Sequence, residues 1–166
     1  SVIGLFFDMT ETEHQILLMC WAKKMALAGR KELDLLFHIP NGGGRSKREG
    51  MTFKAMGVKS GVSDLFLPVM RTKFCVALGG LWIEMKGEKG AVSDDQWKWI
   101  YAMRRNGYEA VACFGWERAM ADIKAYLGGE WPEVDMSEME GRLCGSPGGS
   151  VGKTGDSGDS AGKGVE

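Results

Sequence analysis

The chain lacks the features that mark membrane, secreted and zinc-binding proteins. No apolar run within its 166 residues approaches the roughly 20 that a bilayer-spanning helix needs. The opening Ser-Val-Ile-Gly-Leu-Phe-Phe-Asp has no basic n-region, so we expect no secretory signal. The four cysteines are scattered without a Cys-x-x-Cys pair, which disfavours a zinc site. Cys20, Cys75 and Cys113 have apolar sequence neighbours, so we expect them to be reduced thiols in the core. We therefore expect a cytoplasmic protein without membrane association.

Neither sign of charge predominates, and histidine is scarce. The formal net charge is -1, so bulk charge does not point to a nucleic-acid partner. Locally, however, five basic residues and one acid lie between positions 45 and 59, and such a patch either contacts phosphates or forms a solvated helix face. These residues are Arg45, Lys47, Arg48, Lys54, Lys59 and Glu49. Of the two histidines, we expect His14 to face solvent. His38 ends a predicted strand and either makes a local hydrogen bond, which we favour, or lines a groove for nucleic acid.

Composition divides the chain into a folded part and a tail. The apolar fraction of 44% suits one globular domain, which we place at residues 1–128. Between positions 141 and 166, nine of 26 residues are glycine, and few of the others are apolar. Such a segment cannot bury enough apolar surface to offset the entropy lost on ordering it. We predict that residues 129–166 form a Gly/Ser-rich disordered tail. Its Gly152-Lys153-Thr154 lacks the strand, upstream glycine and helix of a phosphate-binding loop, so no nucleotide cofactor is expected.

Hydrophobic periodicity predicts alternating helices and strands. Two capping boxes, Thr10-x-x-Glu13 and Ser93-x-x-Gln96, mark helix starts. Helices are predicted at 10–29, 47–56, 94–106 and 116–127, and strands at 33–39, 64–69, 74–86 (with a break at the Gly-Gly pair 79–80) and 109–114. Helices mixed with strands in this order indicate an α/β layer fold.

Two of the predicted strands each carry an isolated acid. Residues 79–87 read Gly-Gly-Leu-Trp-Ile-Glu-Met-Lys-Gly, and Asp64 opens an apolar strand upstream. Side chains two positions apart share one face of a strand, so Glu84 and Lys86 point the same way, with Trp82. Charge is costly to bury in a core strand, so these positions need either a chemical role or a place at an exposed strand end.

Two carboxylates and one lysine are the minimum parts of a metal-dependent phosphodiester-cleaving site. If the two strands are neighbours, Asp64 and Glu84 could hold Mg²⁺, which prefers hard oxygen ligands. The metal lowers the pKa of bound water and polarises the phosphoryl oxygen, while Lys86 could orient that water or stabilise developing charge. The alternative is a surface Glu–Lys ion pair, because Glu-x-Lys alone is a common sequence.

Several motifs occur in an order that resembles the VRR-NUC family, a branch of the PD-(D/E)xK nucleases, and especially its stand-alone phage and bacterial members. The resemblance covers about residues 10 to 128 and implies a restriction-endonuclease-like α/β core, with a central mixed β-sheet flanked by α-helices. The motifs are His38-Ile-Pro-Asn41-Gly, Gly57-x-x-x-Gly61-x-x-Asp64-Leu, Leu81-Trp-Ile-Glu84-Met-Lys86, Ser93-x-x-Gln96, Gly107-Tyr108 and Gly115-Trp-x-x-Ala119.

The resemblance also implies Mg²⁺- or Mn²⁺-dependent cleavage of DNA. Asp64 and Glu84 match the metal-binding acids, the backbone carbonyl of Met85 completes the metal shell, and Lys86 matches the catalytic lysine. Family members add an acid from the first helix, followed four residues later by glutamine.

Glu11 and Gln15 have that spacing and share a helix face. Glu13 is the alternative acid, but its place in a capping box already explains it. Gln96 likewise has two roles open to it, a helix cap and a place near the active site.

The family likeness further implies a homodimer that cuts branched DNA such as four-way (Holliday) junctions, in the cytoplasm of a bacterial or phage-infected cell. Alternatives are a flap, single-strand or nonspecific nuclease, and a non-catalytic DNA-binding accessory protein. DNA contacts are expected from one glutamine on the first helix and from the glycine-rich loop and basic patch: Gln15, Asn41, Arg45, Lys47, Lys54 and Lys59.

Overall fold

The computed structural model describes residues 9–40 and 47–144. The described part contains the helices α1 (Glu11–Leu27), α2 (Lys47–Ala55), α3 (Asp94–Arg105), α4 (Trp116–Leu127) and α5 (Ser137–Cys144), and a 3-10 helix at Lys31–Leu35. Its strands are β1 (Phe37–His38), β2 (Leu65–Leu67), β3 (Arg71–Lys73), β4 (Val76–Leu78), β5 (Leu81–Lys86) and β6 (Glu109–Phe114). The break predicted between residues 78 and 81 therefore separates β4 from β5.

The central sheet is mixed, with strand order β1-β2-β5-β6. Strand β2 pairs antiparallel with both β1 and β5, whereas β5 and β6 run parallel. Parallel neighbours require a crossover connection, and α3 provides it. The predicted α/β architecture with a mixed sheet flanked by helices is confirmed.

The two faces of β5 pack against different helices. Leu81, Ile83 and Met85 are fully buried in the core cluster, together with apolar residues of α1 and α4. On the opposite face Trp82 stacks on Phe66 of β2, with ring centroids 4.3 Å apart, and meets Trp99 of α3 edge-on. Strand β5 is therefore central to three layers, and residues at its carboxyl end are held from both sides.

Local sequence explains where α1 and α3 begin. Both predicted capping boxes form: the Thr10 hydroxyl accepts from the Glu13 N–H, and the Ser93 hydroxyl accepts from the Gln96 N–H. The acidic side chain of Glu13 in turn accepts from the Thr10 N–H at 2.7 Å. Because each box satisfies backbone N–H groups that a helix start leaves unpaired, the first residues of both helices are well defined.

The predicted strand at 33–39 is wrong for most of its length. Residues 31–35 form the 3-10 helix, and only the two residues of β1 pair with β2. The buried apolar residues Leu33 and Leu36 explain the error, since a short apolar run does not distinguish a strand from a helical turn.

The segment just beyond α4 also differs from the prediction. A disordered tail was expected from residue 129, but Trp131 stacks on Trp21 of α1 at 5.8 Å, and the Arg30 guanidinium lies 3.6 Å from the Trp131 ring centre. Met136 is buried and begins the packing of α5 on α1. A few apolar residues are enough to hold this segment on the fold because their side chains are large. Residues 145–166 lie outside the described part, and for them the tail remains a prediction.

A two-stranded hairpin of β3 and β4 projects from the end of the sheet where β2 stops and β5 starts. Its tip residues Phe74 and Cys75 have positive φ angles of 49° and 63°. Phe74 is 90% exposed, and Cys75 is exposed rather than buried as predicted. Within residues 9–40 and 47–144, no helix combines the length and apolar character that crossing a bilayer requires.

Candidate active site

The predicted neighbour relationship between the two acid-bearing strands is present. In the β2–β5 register Leu65 stands opposite Ile83, so Asp64, one residue before β2, lies across from Glu84. A carboxylate oxygen of Asp64 accepts a hydrogen bond from the backbone N–H of Met85 at 2.8 Å. This bond ties Asp64 to β5 beyond the last paired residue of β2, and places its carboxylate at the carboxyl end of β5.

Glu84 and Lys86 form a buried ion pair at this end of the strand. Both residues are almost entirely buried, at 0% and 5% exposure, and Lys86 Nζ lies 2.6 Å from Glu84 Oε1. The same ammonium group donates to the Met85 carbonyl at 2.9 Å. The pair therefore lies inside the fold and is not the exposed strand-end ion pair considered from the sequence.

The first helix contributes Glu11, not Glu13, to this cluster. Glu11 Oε2 lies 3.3 Å from Lys86 Nζ, whereas both hydrogen bonds of the Glu13 carboxylate go to Thr10 in the capping box. The two acids are two residues apart and so point to roughly opposite sides of α1, which means that only one of them can face β5. The geometry thus favours the residue that the family spacing indicated.

Gln96 both caps α3 and contacts Glu84 of the candidate site. Its Oε1 accepts from the Ser93 N–H at 2.8 Å, completing the capping box. Its Nε2 donates to Glu84 Oε1, the oxygen that also accepts from Lys86. Because the cap fixes the amide orientation, the start of α3 presents a donor to the buried carboxylate.

The loop that carries Asp64 is docked on the first turn of α3. Gly61 has a φ of +76°, and a Cβ atom there would lie only 2.8 Å from the Gln96 backbone nitrogen. The Ser60 hydroxyl donates to Asp95 at 2.9 Å. The glycine therefore permits close contact between the Asp64 loop and the helix that holds Gln96.

Burial and crowding of negative charge perturb the acid at the centre of the site. Burial raises the pKa of Glu84 to about 7, with further raising by Asp64 and Glu11 and an opposing effect of Lys86. Burial also works against the charge on Lys86, but its contacts with Glu84 and Glu11 outweigh this and raise the lysine pKa. The site therefore favours additional positive charge near its carboxylates.

The donor set suits a hard divalent cation. Among the described residues, the buried Glu84 Oε2 has no hydrogen-bond partner, and carboxylate and carbonyl oxygens are the ligands that Mg²⁺ takes. In residues 9–40 and 47–144, no group of three acid, histidine or cysteine side chains is arranged to hold an ion. A cation held here would thus rely on Asp64, Glu84 and the Met85 carbonyl together with water and phosphate, the usual situation for Mg²⁺.

The residues predicted to contact DNA are only partly placed. Asn41 and Arg45 lie outside the described residues, and Lys47 begins α2 with its side chain undescribed. Lys54 and Lys59 are exposed, and Lys59 lines a shallow depression of about 310 Å³ beside α3, with Lys98. Gln15 lies on a mostly apolar groove between α1 and the 3-10 helix, one turn from Glu11.

The expectation that His14 faces solvent is wrong. Its side chain is 3% exposed, not solvent-facing, and Nδ1 accepts from the Trp116 N–H at the start of α4. His14 lies three residues after Glu11 and near Gly115, which bonds to the Lys86 carbonyl at 2.9 Å. The apolar residues at 17, 18 and 21 place position 14 on the buried face of α1, so the spacing of apolar residues could have indicated that His14 is buried.

His38 makes the local contact expected. Its ring nitrogen Nδ1 is 2.9 Å from the Asp64 carbonyl oxygen.

An acid beside a Glu-x-Lys strand, at the carboxyl end of that strand in a mixed sheet flanked by helices, defines the PD-(D/E)xK class of nucleases. The model of the VRR-NUC domain family matches residues 8–116, which is more than half of the chain. The chain belongs to the VRR-NUC family. Its function is therefore of the nuclease type, with DNA as the substrate, and nucleases of this class generally use divalent metals.

A solved structure described as a VRR_NUC domain protein is similar to this chain. The two are 30% identical, with a TM-score of 0.61, over 73% of this chain and 90% of the other. Among curated proteins no match is found. The family prediction is thus supported by both a family model and a structural neighbour.

Proposed function

We propose that this protein is a Mg²⁺- or Mn²⁺-dependent DNA endonuclease with its active site at the carboxyl end of β5. The observation that carries the proposal is the buried Glu84–Lys86 pair, approached by Asp64 from β2 and Glu11 from α1. A buried pair is not a general source of stability, so its position among further acids is better explained by chemistry than by packing.

The residues divide the work between holding the ion and acting on the phosphate. Asp64, Glu84 and the Met85 carbonyl, with Glu11 nearby, would hold one or two divalent cations. When bound, the metal lowers the pKa of its water and polarises a phosphoryl oxygen. Lys86 carries the positive charge that would orient the attacking water and stabilise charge developing on the phosphate oxygens. Gln96 would keep the Glu84 carboxylate in place through its amide donor.

We further propose that the substrate is branched DNA, including four-way junctions, cut by a homodimer. The basis is the likeness to stand-alone members of the family. Two sites related by a two-fold axis would suit paired incisions in a symmetric junction. Phosphate contacts would come from the exposed Lys54 and Lys59, and from the predicted residues Asn41, Arg45, Lys47 and Gln15.

Cleavage of matched DNA substrates tests both levels of the proposal. The protein would be incubated with a labelled four-way junction, a flap, a single strand and a linear duplex, each with Mg²⁺, Mn²⁺ or EDTA. Metal-dependent incision of the junction in preference to the duplex is expected. Equal cleavage of all substrates would indicate a nonspecific nuclease, and preference for the flap or single strand would reject the junction assignment. DNA binding without incision under every condition would indicate an accessory protein.

A further inference from the structure

One face of α3 exposes two stacked aromatic rings. Trp97 and Tyr101 lie one helical turn apart, with ring centroids 5.7 Å apart and planes inclined by 22°. They are 37% and 50% exposed, whereas Trp116, which the sequence presents in a similar apolar context, is buried at 5%. Exposed rings of this size are not needed to pack α3 on the sheet, because Ile100 is already buried and Trp99 meets Trp82 of β5.

Basic side chains flank this aromatic pair on α3. Arg104 and Arg105 follow Tyr101 by three and four residues, which places them along the same helix surface. Both are exposed, and Arg104 Nε donates to the Ala110 carbonyl at 2.8 Å. Lys98 is next to Trp97 in sequence, and the depression that it lines with Lys59 is on the Trp99 side of the helix. Two acids begin the helix, Asp94 and Asp95, and Asp95 is engaged by Ser60 and Lys98. The surface therefore combines flat rings with a local excess of positive charge.

The aromatic pair lies close to the catalytic end of β5. Trp97 directly follows Gln96, whose amide contacts Glu84, and Tyr101 continues the surface by one turn away from the site. A DNA strand whose phosphate reached Glu84 and Lys86 would thus pass the start of α3. Its neighbouring bases would be within reach of the rings if they were not paired in a duplex.

We propose that Trp97 and Tyr101 form a stacking platform for unpaired bases of DNA next to the cleaved phosphate. This inference rests on the proposed nuclease function, and gives it a physical basis for preferring branched or frayed DNA over continuous duplex. Aromatic side chains stack on any base without reading its sequence, and flanking cations hold the backbone. Paired bases inside a duplex cannot present their faces in this way.

The test measures DNA binding without cleavage and compares a strand that carries bases with one that lacks them. A fluorescently labelled oligothymidylate and a matched abasic strand would be titrated with the full chain in EDTA. The wild type is expected to bind the base-bearing strand about tenfold or more tightly, the size of one or two stacked bases. The double variant Trp97→Leu, Tyr101→Leu should lose this difference while its affinity for the abasic strand is unchanged.

Two control variants separate stacking from general changes to the surface. Tyr101→Phe keeps a ring and should retain the preference for bases. Phe74→Leu alters an aromatic residue that is 90% exposed at the other end of β5 and should bind as the wild type does. The platform is rejected if the double leucine variant keeps the full difference in affinity between the two strands, or if Tyr101→Phe loses that difference. It is also rejected if size-exclusion chromatography shows that the double leucine variant changes oligomeric state, because that face would then join two copies of the chain.

The same experiment distinguishes failure of the platform from failure of the nuclease. If the wild type incises DNA but shows no preference for the base-bearing strand, the platform alone is wrong. If it prefers that strand through Trp97 and Tyr101 but never incises DNA with Mg²⁺ or Mn²⁺, the nuclease function is wrong and the platform stands.

Discussion

Gly61 packs against Asp95 with no space for a side chain between them. A Cβ atom on Gly61 would overlap the Asp95 carbonyl group, and φ at Gly61 is +76°. This contact joins the loop that carries Asp64 to the first turn of α3, which carries Gln96. Two site residues from distant parts of the sequence are thus positioned by one backbone contact.

Gly61→Ala should therefore impair both folding and cleavage. Alanine is strained in the left-handed backbone and must also displace Asp95, so we expect a loss of at least about 3 kcal/mol in the free energy of unfolding. Cleavage measured well below the melting temperature should fall as well, because Asp64 and Gln96 move apart. Denaturant melts and initial rates provide the two measurements.

Gly57→Ala is the matched control for that prediction. Gly57 also has a positive φ, +93°, but no atom of the described residues lies within 4 Å of the point where a Cβ atom would sit, so its cost should be limited to about 1 kcal/mol of backbone strain. Equal losses for the two variants would show that the contact between Gly61 and Asp95 is not important.

Gln96→Ala should lower activity more than loss of the cap explains. Ser93→Ala removes the other half of the capping box, the bond from the Gln96 N–H to the Ser93 hydroxyl, and should cost about 1 kcal/mol of stability, with little change in cleavage. Gln96→Ala also removes the donor to Glu84, and one hydrogen bond to a charged group corresponds to about a tenfold or larger fall in rate. Rates and melting curves of both variants check this. Equal rates would assign Gln96 to the cap alone.

The metal-free protein should lose stability as the pH rises from about 4.5 to 7. Burial raises the folded-state pKa of Glu84 from 4.5 to about 7, so in this window the folded state binds the proton that the unfolded state has released, and ionisation favours unfolding. The contribution is on the order of a few kcal/mol. The measurement is unfolding in EDTA at a series of pH values.

A glutamine at position 84 cannot titrate, so Glu84→Gln should lack this part of the pH dependence. Glu88→Gln, in the exposed turn after β5, should behave like the wild type. If Glu84→Gln and the wild type show parallel stability curves between pH 4.5 and 7, the carboxylate does not titrate in that range.

The parts of the fold with strong local signals were predictable. The strand at 109–114, both capping boxes and the break before β5 follow from alternation, cap residues and glycines, and the structure has them at those positions. The prediction of a strand at 33–39 was wrong because its apolar residues also suit a helical turn. The prediction of disorder from residue 129 was wrong around Trp131 and Met136, because average composition does not register a few large side chains that each pack on the core.

The candidate site was predictable in its residues but not in its contacts. Spacing and family likeness picked out Asp64, Glu84 and Lys86. That Gln96 both caps α3 and reaches Glu84, and that His14 is buried against the start of α4, depends on how helices dock on the sheet. Such long-range contacts leave no periodic signal in the sequence.

Lys86 is the residue whose replacement tests the central claim most directly. Methionine at this position keeps the length of the side chain and removes its charge. Because Glu84 can take up a proton near neutral pH, loss of the ammonium need not leave an unpaired buried charge, and the variant should fold. Lys73→Met, at the far end of the sheet in an exposed ion pair with Glu109, is the control.

The decisive measurement is the single-turnover rate of DNA cleavage with Mg²⁺ or Mn²⁺ by wild type, Lys86→Met and Lys73→Met, alongside DNA affinity in EDTA. We predict a fall of about 100-fold or more for Lys86→Met, with affinity within a few-fold of wild type and Lys73→Met unaffected. Cleavage by Lys86→Met at the wild-type rate would contradict the assignment of the active site to the end of β5.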